Sequence, residues 1–141
     1  KMLRSLRHIA TSTPDGGTHR LLDAAGFSHK LSEAELNVDA LEMTVLRILS
    51  TVAAGGAPGN EASIVKILAT ETHQQITELF LDAAANAGQR DFVDSVSPEW
   101  VGADAHAAPG VSSYFGGRAQ SIYGGTNEVQ KNIIAKRVLG R

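Results

Sequence analysis

Cysteine is absent from the 141 residues, and with it go disulfides, thiolate nucleophiles and cysteine metal sites, so stability has to come from packing. Long apolar runs are missing as well. Nowhere do about 18 apolar residues follow one another, the length a helix needs to cross a bilayer. The opening segment Lys1 to Ala10 sets Arg4, Arg7 and His8 among its apolar positions, without an unbroken apolar core or a small-residue cleavage pattern, and does not read as a signal peptide. The expectation is a soluble, cytoplasmic chain with no membrane insertion. Charge of one sign is scarce too: 13 Lys and Arg stand against 15 Asp and Glu, a net charge of -2, and the basic residues are scattered. Nucleic acid and anionic membrane are poor partners for such a surface. No alternating Val/Ile/Thr-rich run marks a strand, and no internal repeat is visible.

What is there is helical. A chain of this length fits one ordinary domain. Met2, Leu3, Leu6 and Ile9 fall on one helical face, so residues 1 to 10 read as the tail of a helix, broken by the segment Thr11 to His19 with its Thr-Pro-Asp-Gly-Gly. From Leu31 onward Leu31, Ala34, Val38, Leu41, Val45, Ile48 and Val52 recur at spacings of three and four, the seam of a helix packed lengthwise on others. Ser32 and Glu35 have capping-box spacing near its start, and Gly55, Gly56 and Pro58 make a strong stop. A second long helix is expected from about Asn60 to Asn86, with Val65, Leu68, Ile76, Leu79 and Ala83 inward and Lys66, Glu71, Gln75 and Glu78 mostly outward. The short Gly-Pro connection makes the two an antiparallel hairpin. Second apolar rows, such as Leu46, Leu49 and Ala53, suggest contact on more than one side, with core neighbours, another subunit or a further domain as the covering surface. Residues 88 to 110, holding the lone Trp100, read as a loop excursion. A shorter helix from about Val111 to Tyr123 and a last one from Asn127 to Leu139, capped by Thr126 and ended by Gly140, complete an all-α, antiparallel four-helix bundle.

The most informative stretch runs from Arg118 to Gly140. Gly124 and Gly125 free the backbone to turn tightly and let another group approach without a side chain in the way. Thr126 then opens a helix whose N-H groups and positive dipole end suit an anionic or carbonyl oxygen. From Gly-Gly-Thr by itself, an ordinary helix-turn-helix corner is the simpler reading.

The whole string Ile-Tyr-Gly-Gly-Thr-Asn-Glu-Val-Gln-Lys-Asn-Ile-Ile-Ala-Lys-Arg-Val-Leu-Gly, from Ile122 to Gly140, closely resembles the C-terminal signature of acyl-CoA dehydrogenases. Pro58 to Glu71 looks like the hairpin turn and following helix of many bacterial members, and the likeness runs from about Leu31 to Arg141. The resemblance implies a protein of three parts, an N-terminal helical domain, a middle β-domain and a C-terminal four-helix bundle, of which only the bundle stands in residues 1 to 141. In such proteins FAD lies between the middle domain and the bundle and reaches a neighbouring subunit, while the bundles pack as the oligomer core. A carboxylate removes the α-proton of an acyl-CoA substrate, the β-hydride passes to flavin N5, and a trans-2-enoyl-CoA results. An electron-transfer acceptor then reoxidises the flavin. By the same resemblance Gly124, Gly125, Thr126 and Glu128 are the strip nearest flavin and thioester.

The sequence also departs from the family pattern. Many members carry the catalytic Glu directly after the signature Tyr; here Gly124 follows Tyr123, and no catalytic residue is identified in this chain. The base then lies on a helix upstream of Lys1, as in a subset of the family, or the chain is a non-catalytic subunit of a hetero-oligomeric dehydrogenase. The family's usual Gln and paired Gly near the end of the long helix are replaced by Asp82-Ala-Ala-Ala-Asn-Ala-Gly88-Gln, and its Arg-x-x-Phe-Gly segment before Leu31 is missing, although Arg20 and Gly26-Phe27 stand nearby. Glu71 and His73 lack the Glu-x-x-His order of a di-iron bundle, and His8, His19, His29 and His106 have no ligand spacing, so no metal is expected. Arg118 suits either phosphate or a buried ion pair. The sequence thus points to the C-terminal domain of an FAD-dependent dehydrogenase acting in a homo- or hetero-oligomer, with a purely structural helical association module as the rival.

Overall fold

The computed structural model describes residues 1–12, 19–84 and 108–140. Among them are five α-helices and no strand: α1 (Met2–Ser12), α2 (Ala25–Ala53), α3 (Glu61–Ala84), α4 (Ala108–Gly117) and α5 (Asn127–Leu139), with short 3-10 turns at Leu21–Asp23 and Arg118–Ser121. The all-α expectation holds. No helix of the described residues is long and apolar enough to cross a membrane. Most of the expected loop from 88 to 110, with Trp100, lies outside the described residues, as do His106, Gly88 and the Thr-Pro-Asp-Gly-Gly break.

Two compact units divide the chain, one formed by 1–35 and 74–118, the other by 36–73 and 119–141. In the first, α1 buries Leu6, Ile9 and Ala10, the face expected from the sequence, the opening of α2 buries Phe27, Leu31 and Ala34, and the end of α3 buries Ile76, Leu79, Phe80 and Ala83. Helix α2 begins at Ala25, well before Leu31, so Ser32 and Glu35 are interior residues and not a capping box. Glu35 instead receives a forked bond from Arg7 of α1, with Nη2 at 2.7 and 2.6 Å from its two oxygens and Nε at 3.1 Å, a bidentate geometry that raises the Arg7 pKa by hydrogen bonding first and charge attraction second. Lys30 near the start of α2 pairs with Asp82 near the end of α3 at 3.0 Å, which fixes those two segments as antiparallel neighbours.

Arg118 closes this unit onto α3. Its guanidinium pairs with Glu78 at 2.9 Å and donates to the Gln74 carbonyl at 3.1 Å, while its carbon centre stands 4.3 Å from the Tyr114 ring centroid. Gln74 returns two amide bonds, to the carbonyls of Gly117 and Arg118 at 3.3 and 3.4 Å. Arg118 thus forms an ion pair, but a half-exposed one and not the buried pair that was one of its two expected roles. The helix expected from Val111 to Tyr123 is shorter and earlier: α4 spans Ala108–Gly117, tolerating Pro109 in its first turn where amides have no helical partner, and gives way after Gly116 and Gly117 to a 3-10 turn.

In the second unit α2 ends in a Schellman motif, Gly55 at φ 82 with its N-H on Val52 O and the Gly56 N-H on Thr51 O. The connection then leads into α3 at Glu61. The α2 seam is only half-covered here, with Val38, Leu41, Val45 and Ile48 intermediate and Val52 exposed, as for a helix packed on one side alone. Helix α5 starts on a Thr126 hydroxyl that accepts the Val129 N-H at 3.2 Å and ends on Gly140 in the left-handed region, both as the sequence indicated. Arg137 in its last turn bonds Asn60 Oδ1 at 3.2 Å.

Candidate functional site

The signature segment folds as a 3-10 turn, a glycine corner and a helix. Ile122 and Tyr123 both return their N-H groups to Ala119 O, at 2.9 and 3.1 Å, and Gly124 and Gly125 follow at φ 70 and 90. That left-handed conformation is strained for a residue with a Cβ, which is the local reason for two glycines. Their surroundings differ. A Cβ on Gly124 would meet nothing within 4 Å, whereas one on Gly125 would lie 2.7 Å from Gln130 Nε2, the movable end of a side chain.

Beside this corner runs an open groove of about 460 Å³, lined by Lys66, Ala69, Thr70, His73, Gln120, Tyr123 and Gly124. The helical periodicity sets Lys66 outward, but the structure does not. It is half-buried, and its Nζ donates to the Gln120 carbonyl at 3.2 Å and to Asn127 Oδ1 at 2.8 Å. Thr70, also in the groove wall, satisfies its hydroxyl on Lys66 O at 2.8 Å, which is how a buried threonine sits in a helix without an unpaired group. Among the described residues no group of three or more His, Asp or Glu could hold a metal ion.

Of the strip selected from sequence, Gly124 lines the groove, Gly125 and Thr126 form the corner next to it, and Glu128 stands exposed in the first turn of α5. The Glu128 carboxylate is held below its ordinary pKa, first by its own backbone N-H, then by the Thr126 hydroxyl, with smaller attractions from Lys131 and Lys66. The positive end of α5 is therefore already complemented from within the helix. Lys66 and Asn127 are the residues that sequence reasoning missed. Lys66 sits between Val65 and Ile67, and a cation flanked by core positions was the available signal.

Comparison with known proteins follows the same lines. Residues 1–139 match the family described as acyl-CoA dehydrogenase, C-terminal domain. Acyl-CoA dehydrogenase IpdE1 of Mycobacterium tuberculosis is 36% identical over 83 residues, 59% of this chain and 18% of that protein. The IpdE1 of Mycolicibacterium smegmatis is 35% identical over 83 residues, with the same shares of 59% and 18%. Among solved structures, the ChsE4-ChsE5 complex from Mycobacterium tuberculosis is similar with a TM-score of 0.74 at 24% identity, covering 99% of this chain and 34% of that one. A Tcur3481-Tcur3483 steroid ACAD variant gives a TM-score of 0.70 at 22% identity, again covering 99% and 34%. At those identities the structures establish the fold. With the family matched from residue 1 to residue 139, the chain belongs to the acyl-CoA dehydrogenases, in their C-terminal domain.

Proposed function

We propose that this chain works as the C-terminal domain of an FAD-dependent enzyme that converts an acyl-CoA thioester to a trans-2-enoyl-CoA, giving one wall of the flavin and substrate site and a surface for oligomer assembly. The observation that carries this reading is the Gly124-Gly125 corner, where two left-handed residues leave bare backbone at the mouth of a groove. The chain spans 18% of the curated relatives' length and 34% of the solved ones, so N-terminal helical and middle β-domains complete the enzyme in this proposal.

The residues fit part of the cofactor. A flat ring or a thioester carbonyl meets no side chain at Gly124 and can approach the backbone closely. Phosphates do not suit the start of α5, because Glu128 already places a carboxylate there and Thr126 takes the Val129 N-H. The strip therefore serves as a wall for the uncharged end of the ligand. Bound flavin supplies the acceptor for the β-hydride. The chain's own contribution is space at Gly124, an aromatic edge at Tyr123 and exclusion of water from that side. The resemblance calls for a carboxylate base, and the groove lining holds none: Lys66, His73 and Tyr123 are its titratable members.

A second reading is favoured by that same lining and by the likeness to a two-component complex: the chain belongs to the silent subunit of a hetero-oligomer. One experiment addresses both. The full-length protein, alone and with any co-purifying partner, is mixed anaerobically with acyl-CoA thioesters, beginning with ring-bearing ones because one similar structure is described as a steroid ACAD. Bleaching of the visible flavin band by the protein alone supports the active enzyme, bleaching that requires the partner supports the silent subunit, and a colourless, inert protein in both states removes the flavin reading.

A further inference from the structure

Lys66 reaches across the glycine corner. Its ammonium binds the Gln120 carbonyl, in the 3-10 turn before the corner, and Asn127 Oδ1, at the first residue of the helix after it. One charge thus spans both ends of the segment that carries Tyr123, Gly124, Gly125 and Thr126. An ammonium is compact and strongly hydrated, and half-burying it is unfavourable unless charge-assisted bonds replace the lost water. Both replacements here are oxygens flanking the corner. Asn127 is 7% exposed, so withdrawal of Lys66 would leave its amide oxygen short of a partner away from bulk water. The corner needs such an external tie, because its middle residues sit where glycine backbone is freest.

We propose that Lys66 is a positioning residue: it staples the corner to α3 and fixes where the Gly124 backbone stands at the edge of the groove. Its importance for turnover rests on the acyl-CoA dehydrogenase reading above; the staple itself does not. Lys66→Met keeps the length and apolar stem and removes the donors. Lys66→Arg keeps charge and paired donors. Hydrogen exchange of the full-length protein, read peptide by peptide, should then accelerate roughly ten-fold or more over residues 119–128 in Lys66→Met, with far less change over the later turns of α3. Where the enzyme turns over, kcat should fall by about 100-fold, the size of a small misplacement of a reacting group, with KM moving less and flavin retained, and Lys66→Arg should recover both readouts. If Lys66→Met does not fold, Asn127→Ala removes one acceptor and should produce the same exchange pattern at smaller size. Unchanged exchange over 119–128 overturns the staple. Accelerated exchange with unchanged kcat overturns its positioning role. Accelerated exchange in a protein whose wild type never oxidises acyl-CoA upholds the staple while removing the enzymatic reading.

Discussion

At Gly124 the space around the residue and its backbone favour opposite outcomes for a larger side chain. Nothing stands within 4 Å of a Cβ there, yet φ is 70, so Gly124→Glu should fold with a loss of about 1 to 2 kcal/mol from the left-handed backbone. Its effect on activity separates the two readings of the protein. In an active enzyme whose base lies elsewhere, a second carboxylate near the first raises one of the two pKa values, moves the pH optimum upward and rejects bulky acyl groups first. In a silent subunit that binds flavin, the same change should create turnover. Steady-state rates against pH decide it, and an identical profile in an already active protein would mean that Gly124 does not face the reacting carbon. Glu128 gives a gentler test. Its folded pKa is depressed, so its contribution to stability is complete above the ordinary glutamate value of about 4.3 and is lost as pH falls through the lowered folded value. Glu128→Gln should therefore lose less Tm than wild type between about pH 5 and pH 3; parallel melting curves would deny the carboxylate that role.

The elements show which parts of a sequence speak locally. Thr126, Gly140 and Gly55 were legible because a cap or a Schellman stop is decided by residues a few positions apart. The start of α2 was not. Phe27 lies one helical turn before Leu31 on the buried face, and extending the seam backward would have found it; the Ser32 and Glu35 pair suggested a false start because Glu35 answers to Arg7 in another helix. Thr70 and Thr77 are buried with hydroxyls bonded to carbonyls of their own helix, so polarity there says nothing about exposure. Lys66 was misplaced because its acceptors lie 54 and 61 residues away, beyond any periodicity. Arg118 combines a salt bridge, a backbone bond and a stacked ring. Glu78 is half-exposed, so the ion pair is screened and contributes at most about 1 kcal/mol, and the planar fork does the rest. Arg118→Lys should then cost about 1 to 2 kcal/mol, since a lysine reproduces neither the fork nor the stacking on Tyr114, and Glu78→Gln should cost less, as chemical denaturation of the two variants would register. A loss in Glu78→Gln larger than that in Arg118→Lys would instead assign the effect to charge, which lysine keeps.

At the scale of the whole molecule, α2 exposes an apolar row among the described residues. Leu46 and Leu49, from the row that suggested contact on more than one side, are 51% and 58% exposed, and Met43 one turn earlier is 62% exposed. An exposed apolar row of this kind is consistent with the assembly surface proposed above. Light scattering at high micromolar concentration should find a dimer or larger assembly, and Leu46→Glu with Leu49→Glu should shift it toward monomer without lowering helix content; a strict monomer in the wild type would assign the row another purpose.

The tip of the α2-α3 connection has a practical consequence. Residues 54 to 59 are all exposed, and the Schellman bonds that end α2 use backbone groups of Thr51, Val52, Gly55 and Gly56, not the side chain of Ala57. Because the chain contains no cysteine, Ala57→Cys would introduce its sole thiol, at a place where a fluorophore or spin label disturbs neither helix cap. If light scattering finds an assembly, distances between labels on its copies can then be measured without a competing thiol from residues 1–141.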